Sequence, residues 1–377
     1  MLAHLLHLAG IDSVIVELRS RSYAEQRIRA GVLEQTTVDL LNSAGVGDRM
    51  TREGLRHHGI ELGFRGERHR IDMSELTGGK FVTVYGQHEV VKDLIERRLA
   101  HSLPLFFEST EAALDGLDSE TPSIHFFHAG EPHQLLCDYI AGCDGFHGIS
   151  RPAIPASQIT IYDREYPFGW LGILAEAPPS REELLYQNSL RGFALYSMRS
   201  PTVTRLYLQC EPHEDLAQWS DDRIWDELNQ RLSGDDGWVP TRGKIIQKSI
   251  TGMRSFVADP MQFGRLFLLG DAAHIVPPTG AKGMNLAIAD ALILSQALTA
   301  FYKQNNAEAL AGYTATCLSR VWKGQRFSWW MTSLLHKFSD ANPFDCQRQI
   351  AELAYVTTSR AAATTLAENY VGLPLTF

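Results

Sequence analysis

One segment in the C-terminal half combines a buried strand, an acidic residue and a helix start. The apolar run from Arg265 to Gly270 predicts a strand that delivers Asp271 at its carboxyl end, and a helix is predicted to open near Gly283-Met284-Asn285. Such an Asp can bind a ribose or ribityl hydroxyl, and the free N–H groups of a helix start favour negative charge. An ordinary strand–loop–helix crossover is the alternative. It does not explain the Pro277–Gly280 loop between them, so the segment predicts a nucleotide-cofactor site.

A second candidate site lies on two short strands that flank the turn Ser200-Pro201-Thr202. Ser197 and Arg199 share one face of the first strand, and Arg205 and Tyr207 share one face of the second, because side chains alternate along a strand. A simple hairpin register places Arg199 opposite Arg205 and Ser197 opposite Tyr207. Two like charges in that position need an anion or an electron-rich cofactor edge between them. A guanidinium suits a carboxylate, so the pair predicts a carboxylate site; an exposed hairpin is the alternative.

The first residues of the chain predict the second half of a βαβ unit. Leu2–Leu8 has apolar residues at helical spacing and stops at Gly10, a common helix C-cap. The β-branched run Ser13–Val16 follows as a strand that ends at Glu17, where dinucleotide folds carry a ribose-binding acid. A solvated strand-end carboxylate is the alternative for Glu17.

The order of elements predicts an α/β fold with a discontinuous dinucleotide-binding domain. Leu135–Ala141 reads as one strand, strands with turns follow from Tyr166 to Cys210, and helical periodicity returns after Asn285. We expect the nucleotide-binding domain in residues 1–160 and 253–290. An inserted β-sheet substrate domain is expected in residues 161–252, and a C-terminal helical interface region in residues 291–377.

Composition excludes several classes of protein. The 377 residues are 44% hydrophobic and carry a net charge of −9, which argues against a nucleic-acid partner. Five cysteines without CxxC spacing fit a reducing cytoplasm better than a disulfide framework or a zinc site. The apolar start lacks a basic region, and no run reaches the ~20 apolar residues that span a membrane. The sequence predicts a soluble, cytoplasmic protein.

The motifs together resemble the flavoprotein aromatic hydroxylases. The segment from Gly270-Asp271-Ala272-Ala273-His274 to Gly283-Met284-Asn285 and the run Cys143–Gly148 are similar to two motifs shared across that family. Longer runs resemble the branch that hydroxylates 4-hydroxybenzoate: 27–35, 166–172, 328–333 and 368–374. The resemblance extends from residue 2 to about residue 374.

The resemblance implies a monooxygenase that uses FAD, with NADPH (or NADH) and O2 as co-substrates. It implies conversion of 4-hydroxybenzoate to 3,4-dihydroxybenzoate in the degradation of aromatic compounds, in a water-poor pocket. It also implies a homodimer formed through the helical tail. Two alternatives stay open: the same mechanism on another hydroxy- or aminobenzoate, and a cofactor-poor, degenerate relative that acts as a binding protein.

Four catalytic residues follow from the resemblance alone. Tyr186 and Tyr370 are isolated tyrosines without a sequence signal, and the resemblance implies that their hydroxyls form a chain to the substrate phenol. His57 matches a histidine that passes the proton to solvent, and its ordinary pKa range suits that role; a surface histidine beside His58 is the alternative. Pro278 matches a residue whose backbone carbonyl faces the substrate hydroxyl.

The resemblance also assigns binding residues. Ser197, Arg199 and Tyr207 are expected at the substrate carboxylate, and Tyr186 and Pro278 at the substrate hydroxyl. Tyr23 lies in a segment that matches contacts with cofactor phosphates. The cofactor-binding residues implied are Glu17, Arg27, Arg29, Gln87, Asp144, His147, Arg151, Arg205, Arg254, Asp271, Gly283, Met284 and Asn285.

Family members begin with a strand and a GxGxxG turn that hold the flavin pyrophosphate, and Met1 falls just after the position of that turn. We therefore expect a physiological start roughly 15 residues upstream, the offset given by the βαβ match. We also expect poor solubility or low flavin content for the 377-residue chain.

Overall fold

A computed structural model describes residues 1–28 and 31–375. Within these ranges the helices are α1 (Leu2–Leu8), α2 (Arg21–Gln26), α3 (Gln35–Ser43), α4 (Asp48–Glu53), α5 (Met73–Leu76), α6 (Gln87–Ala100), α7 (Asp221–Leu232), α8 (Gly283–Gln304), α9 (Glu308–Ala311), α10 (Tyr313–Leu335), α11 (Pro343–Thr358) and α12 (Arg360–Val371). The strands are β1 (Ile15–Val16), β2 (Val32–Leu33), β3 (Leu55–His57), β4 (Gly59–Phe64), β5 (Glu67–Asp72), β6 (Val82–Val84), β7 (Leu105–Phe106), β8 (Thr110–Asp115), β9 (Ser123–His128), β10 (Glu131–Leu136), β11 (Ile140–Gly142), β12 (Thr160–Glu176), β13 (Leu185–Gln187), β14 (Ala194–Ser200), β15 (Val203–Cys210), β16 (Lys244–Asp259), β17 (Gln262–Phe263), β18 (Leu266–Leu268) and β19 (His274–Ile275).

The predicted α/β class is confirmed, and one sheet dominates the fold. Its eight strands follow the order β19-β16-β12-β15-β14-β13-β4-β5. The pairs β1–β7 and β11–β18 are parallel and belong to two smaller sheets, as expected for a dinucleotide-binding fold. β4 and β5 precede residue 160 yet extend the large sheet, so both parts of the chain build it. The domain boundaries themselves stay a prediction.

The long strand β12 separates two apolar layers. Tyr166, Phe168 and Trp170 pack into a core with α10, α11 and α12, whereas Leu171 and Ile173 pack on the opposite side with α7. Successive side chains of a strand point to opposite faces, so this alternation follows directly from the sequence. The first of these layers lies against the candidate active site.

The two helices that the sequence predicted for the nucleotide-binding domain, α1 and α8, form at the predicted positions. α1 ends before Gly10, whose φ of 65° is the left-handed conformation that glycine adopts easily. α8 begins at Gly283 and packs against α1. α8 is long and apolar enough to cross a membrane by length and composition, although the sequence predicted no spanning run. However, 61% of its most apolar window is buried inside the protein, as in a core helix.

The predicted hairpin register is wrong by two residues. Ser197 lies opposite Arg205, and Leu195 lies opposite Tyr207. Pro201 and Thr202 alone connect β14 and β15, and the pairing is irregular between Met198 and Ser200, so Arg199 occupies a bulge. A bulge adds one unpaired residue to a strand and re-aims its side chain. The two arginines are therefore not a directly opposed pair.

The apolar run 135–141 forms two strands instead of the single strand that the sequence predicted. β10 ends at Leu136 and pairs with β9, whereas β11 begins at Ile140 and pairs with β18. Between them the Cys137 N–H donates to the Pro122 carbonyl at 3.0 Å, which extends the β9–β10 pairing by one residue, and Pro122 has no N–H to donate in return. The second strand carries the chain into the Cys143–Gly148 loop.

Candidate active site

Two buried tyrosines from distant parts of the chain meet at the centre of the site. Tyr186 lies on β13, between β14 and β4, and Tyr370 lies on α12; each is 2% exposed. Their hydroxyl oxygens are 2.5 Å apart, a short hydrogen bond. Burial raises the pKa of both phenols above the ordinary value because a low-polarity environment disfavours the phenolate. Two neutral hydroxyls in contact can pass a proton along the chain.

His57 is buried, which rules out the surface alternative. It is 1% exposed on β3, and neither ring nitrogen has a hydrogen-bond partner among the described residues. Burial lowers the pKa of His57 to about 4, while the charge of Glu183 acts in the opposite direction. The imidazole is therefore neutral near pH 7 and keeps a nitrogen free to accept a proton. Its place in a proton relay stays a prediction.

The half-buried Arg199 packs against Gly31, where any side chain would collide with its guanidinium. A Cβ on Gly31 would stand 2.7 Å from Arg199 Nη1 and 2.4 Å from the Tyr85 carbonyl oxygen. Arg199 Nε has no partner in the described part of the chain. Burial lowers the pKa of Arg199 to about 10, since an enclosed cation loses its hydration. A bound carboxylate would supply the missing negative charge.

Arg205 and Tyr207 share one face of β15, as predicted. The Arg205 guanidinium lies 5.0 Å from the centre of the Tyr207 ring, and Arg205 Nε is buried without a partner among the described residues. Both side chains lie over Gly172 of β12, where a Cβ would stand 3.3 Å from Arg205 Nη2. Tyr207 lies opposite Leu195 of β14, and Leu195 lies opposite Tyr186 of β13, so Tyr207 and Tyr186 belong to one row on the same face of the sheet. Ser197 is 7% exposed and donates to the Met198 carbonyl at 3.2 Å.

The turn that carries Asp271 is held by a buried carboxylate that sequence reasoning missed. Asp271 is exposed in the short turn Gly270–Ala272, just after β18. Asp290, 2% exposed on α8, accepts from the Gly270 N–H at 2.9 Å and contacts His274 Nε2 at 2.6 Å. Burial lowers the pKa of His274, but the Asp290 charge outweighs it, and the pKa is raised. The helical spacing of α8 could have identified Asp290, because it falls in the middle of a buried apolar face.

The first turn of α8 has backbone N–H groups that no side chain caps among the described residues, as the sequence predicted. Lys282 precedes Gly283 and makes no side-chain capping bond within the described residues. Met284 is half-buried. The Asn285 amide is fully used by the backbone: it accepts from the Glu34 N–H at 3.0 Å and donates to the Val32 carbonyl at 3.0 Å. Asn285 therefore shapes the loop with its side chain, and its predicted cofactor contact stays a prediction.

Three further predicted cofactor residues contact other groups of the protein, and these contacts hold loops in place. Arg151 donates to the Ala272 carbonyl at 2.9 Å and to the Phe146 carbonyl at 2.6 Å, which joins two predicted cofactor segments. Asp144 accepts from the Ser150 N–H at 2.8 Å. Arg254 forms ion pairs with Asp163, at 3.1 Å, and with Glu165. These contacts position the loops, and direct cofactor contacts stay predictions.

The remaining predicted cofactor residues are exposed or half-buried where the structure describes them. Glu17 directly follows β1 and accepts from the Arg19 N–H at 2.7 Å. Arg27 and Arg19 lie on the Tyr23 ring, at 5.5 and 5.2 Å from its centre. His147 is exposed and Gln87 is the first residue of α6, whereas Arg29 lies outside the described residues.

Sequence reasoning also missed a buried ion cluster beside Tyr370. Lys282 Nζ donates to Glu34 at 2.6 Å and to the backbone carbonyls of Asn369 and Tyr370. Glu34 also pairs with Arg320 at 3.0 Å. Burial lowers the pKa of Lys282, and the Glu34 charge opposes that change. The cluster ties the start of α8 to the end of α12, which fixes Tyr370 relative to the cofactor segment.

The geometry defines a class of protein. A dinucleotide-binding fold carries an exposed strand-end acid and a free helix start, and Lys282 ties that helix start to Tyr370. Tyr370 contacts Tyr186, and in the described part of the chain the Nε atoms of two nearby arginines have no partner. Such a site serves an enzyme that uses a nucleotide cofactor on an acidic aromatic molecule.

Comparisons with known proteins agree with this class. A model of the FAD binding domain family matches residues 1–328. The p-hydroxybenzoate hydroxylase of Acinetobacter baylyi is 51% identical over 374 residues, which cover 99% of this chain and 92% of that protein. Kynurenine 3-monooxygenase of Salinispora tropica is 25% identical over 78% of this chain and 68% of its own length. The solved structure of p-nitrophenol 4-monooxygenase PnpA from Pseudomonas putida shares the fold, with a TM-score of 0.83 at 16% identity over 99% of this chain and 95% of that one. The chain belongs to the flavoprotein aromatic hydroxylase family.

The described residues fit FAD. Asp271 is exposed at a strand end, where it can accept from a ribityl hydroxyl, and α8 presents its first N–H groups beside it. The buried, unpartnered Nε of Arg205 needs an electron-rich neighbour, which the edge of a flavin ring provides.

Proposed function

We propose that the protein converts 4-hydroxybenzoate to 3,4-dihydroxybenzoate, with bound FAD, and with NADPH and dioxygen as co-substrates. The observation that carries the proposal is the spacing of two groups. Tyr207 lies in the same cross-strand row as Tyr186, with Leu195 between them, and on the same face of β15 as Arg205, whose partner Ser197 is two residues from Arg199. A phenol site and a carboxylate site therefore flank Tyr207. A ring with a hydroxyl at one end and a carboxylate at the other matches that arrangement. The 51% identity with a p-hydroxybenzoate hydroxylase supports the same substrate.

The carboxylate end of the substrate is placed at Arg199, whose buried Nε has no partner among the described residues. Arg199 offers its guanidinium, and Ser197 and Tyr207 offer hydroxyls from the neighbouring strand positions. A charged pair in an enclosed pocket gains from the low polarity of its surroundings only when both partners are present. This end therefore selects acids and fixes the orientation of the ring.

The hydroxyl end of the substrate is activated by removal of its proton. Tyr186 accepts from the substrate phenol, Tyr370 receives the proton across the 2.5 Å contact, and neutral His57 is the next acceptor. A phenolate is a much stronger nucleophile at its ortho carbon than a phenol. Bound FAD would carry two electrons from the nicotinamide to dioxygen, so that one oxygen atom goes to that carbon and the other leaves as water. The Pro278 carbonyl faces the substrate hydroxyl in this proposal, and the buried aromatic walls keep water from the reacting ring.

NADPH is the proposed reductant because of a basic surface beside β1. Arg19 and Arg27 both lie on the exposed Tyr23 ring, which presents two guanidinium groups near Glu17. Two such groups favour a phosphate monoester as well as a pyrophosphate. The resemblance assigns Gln87, the first residue of α6, to a cofactor contact as well, and it assigns Arg29, which lies outside the described residues, to the same role.

The helical tail supports a homodimer. Trp322 and Trp329, two turns apart on α10, are 44% and 45% exposed, and Trp322 packs on Tyr162, itself 47% exposed. Exposed aromatic side chains grouped on one region of the surface favour a protein–protein contact. The unpaired cysteines fit a reducing, cytoplasmic location.

A steady-state assay tests the proposal. The purified protein with added FAD should oxidise NADPH slowly alone and much faster with 4-hydroxybenzoate, and chromatography should identify 3,4-dihydroxybenzoate. 3-Hydroxybenzoate and 2-aminobenzoate serve as matched substrates. Faster turnover of either would show a different substrate on the same site. A colourless protein that binds no added FAD would favour the binding-protein alternative.

A further inference from the structure

A fully buried histidine outside the proton chain lies beneath the substrate pocket. His336 follows α10 and is 0% exposed. Its Nδ1 lies 3.0 Å from the Thr332 carbonyl oxygen, and its Nε2 lies 2.7 Å from the indole Nε1 of Trp170. The Gln349 side chain donates to the His336 carbonyl at 2.8 Å, which fixes its backbone as well.

These partners determine the protonation state of His336. A carbonyl oxygen only accepts, so Nδ1 must carry the hydrogen; an indole N–H only donates, so Nε2 must present its lone pair. A second proton on Nε2 would face the hydrogen of Trp170. Burial lowers the pKa of His336 to about 3, in agreement with this geometry. His336 is therefore a neutral acceptor and takes no part in proton transfer.

The aromatic rings that pack around His336 connect it to the residues of the proposed substrate site. Its ring stacks on Phe168, at 4.7 Å and 6°, and lies 4.4 Å from Phe193. Trp170, held by the hydrogen bond, lies 4.7 Å from the Tyr207 ring. Phe193 in turn lies 6.2 Å from the Tyr186 ring. His336 thus contacts the two aromatic residues that support the carboxylate side and the hydroxyl side of the proposed site.

We propose that His336 is a positioning residue: through its hydrogen bond to Trp170 it fixes Tyr207 for the substrate carboxylate. The inference rests on the proposed function for the identity of the substrate. Without the Nε2 acceptor, the buried indole N–H of Trp170 has no partner, and the ring must rotate or shift to find one. Because Tyr207 packs on that ring, its hydroxyl moves with it.

Two substitutions distinguish the effect of the hydrogen-bond acceptor of His336 from the effect of its ring volume. His336→Phe keeps an aromatic ring without the acceptor, whereas His336→Gln places an amide oxygen near the position of Nε2. His336→Phe should weaken binding of 4-hydroxybenzoate about tenfold, the order expected for an unsatisfied buried donor. His336→Gln should stay within about threefold of the wild type. The dissociation constant is measured by flavin fluorescence of the FAD-loaded protein, with the peroxide released per NADPH as a second readout.

A double substitution tests the specific contact. Trp170→Phe removes the donor, so in its background His336→Phe should change the dissociation constant by less than about threefold, since both polar partners are then gone. Trp225→Phe is the matched control: Trp225 is 1% exposed on α7, in the core across the sheet. It should lower the unfolding midpoint without changing substrate affinity.

The outcomes distinguish the two proposals. If the wild-type protein does not respond to 4-hydroxybenzoate, the proposed function fails, and the positioning role fails with it. If the wild type binds and His336→Phe binds equally well, only the positioning role is overturned. Equal losses in His336→Gln and His336→Phe, or full additivity with Trp170→Phe, also overturn it. The pH profile of turnover should be the same in His336→Gln and the wild type.

Discussion

Protonation of His57 should make the protein lose stability in mild acid. The folded-state pKa is about 4, whereas an exposed histidine titrates near 6.5. Between these values the unfolded chain binds more protons than the folded one, so stability present above pH 6.5 is lost as the pH falls toward 4. At pH 5, about 1.5 units below the unfolded value, the loss is about 2 kcal/mol, because each pH unit contributes about 1.4 kcal/mol.

Replacement of His57 by asparagine should remove that share of the pH dependence. The free energy of unfolding is measured with urea at pH 8 and pH 5, at a fixed FAD concentration, by tryptophan fluorescence. The wild type should lose about 2 kcal/mol more than His57→Asn between the two values. His213→Asn is the control, because His213 is exposed in the loop after β15. His336 is present in all variants, so its own contribution cancels. An identical decline in His57→Asn and the wild type would refute a buried, neutral His57.

Three further predictions follow from the site. Tyr186→Phe should bind 4-hydroxybenzoate within about threefold of the wild type but release peroxide instead of the hydroxylated product. Arg199→Ala should instead weaken binding at least thirtyfold, because the loss of one partner of a buried charge pair costs about 2–5 kcal/mol. Equal effects of the two substitutions on the dissociation constant would contradict these separate roles. Asp290→Asn should weaken FAD binding about tenfold in a fluorescence titration, because the Gly270 N–H and His274 lose an ionised acceptor; unchanged affinity would count against that role. Trp322→Ser should shift the protein toward monomer in analytical ultracentrifugation, and a wild type that is already monomeric would disprove the interface.

Local pattern determined a large part of the cofactor segment. α1, β18 with Asp271 after it, and the start of α8 lie where the sequence predicted them. Arg205 and Tyr207 share a face as expected, because alternation along a strand is a property of the backbone alone. Family motifs then added residues such as Tyr186, for which the pattern carried no signal.

The pairing of the strands could not be determined from the sequence. The register of β14 and β15 depends on the bulge at Arg199, and the run 135–141 divides between two sheets. Both outcomes are set by which neighbour satisfies each backbone N–H and carbonyl. Neighbours from other segments compete for those groups, so a pattern of residue types within one segment cannot select among them.

The contacts that define the chemistry were decided by tertiary structure. Tyr186 meets Tyr370 across 184 positions of the sequence, and Trp170 meets His336 across 166. His57 is adjacent to the exposed His58, and only the packing of β3 makes one buried and the other not. The sequence by itself determined the types of group available and the face of each element that carries them. Their distances, burial and protonation states depend on how separate elements pack, since burial and charge are properties of the surroundings and not of the residue.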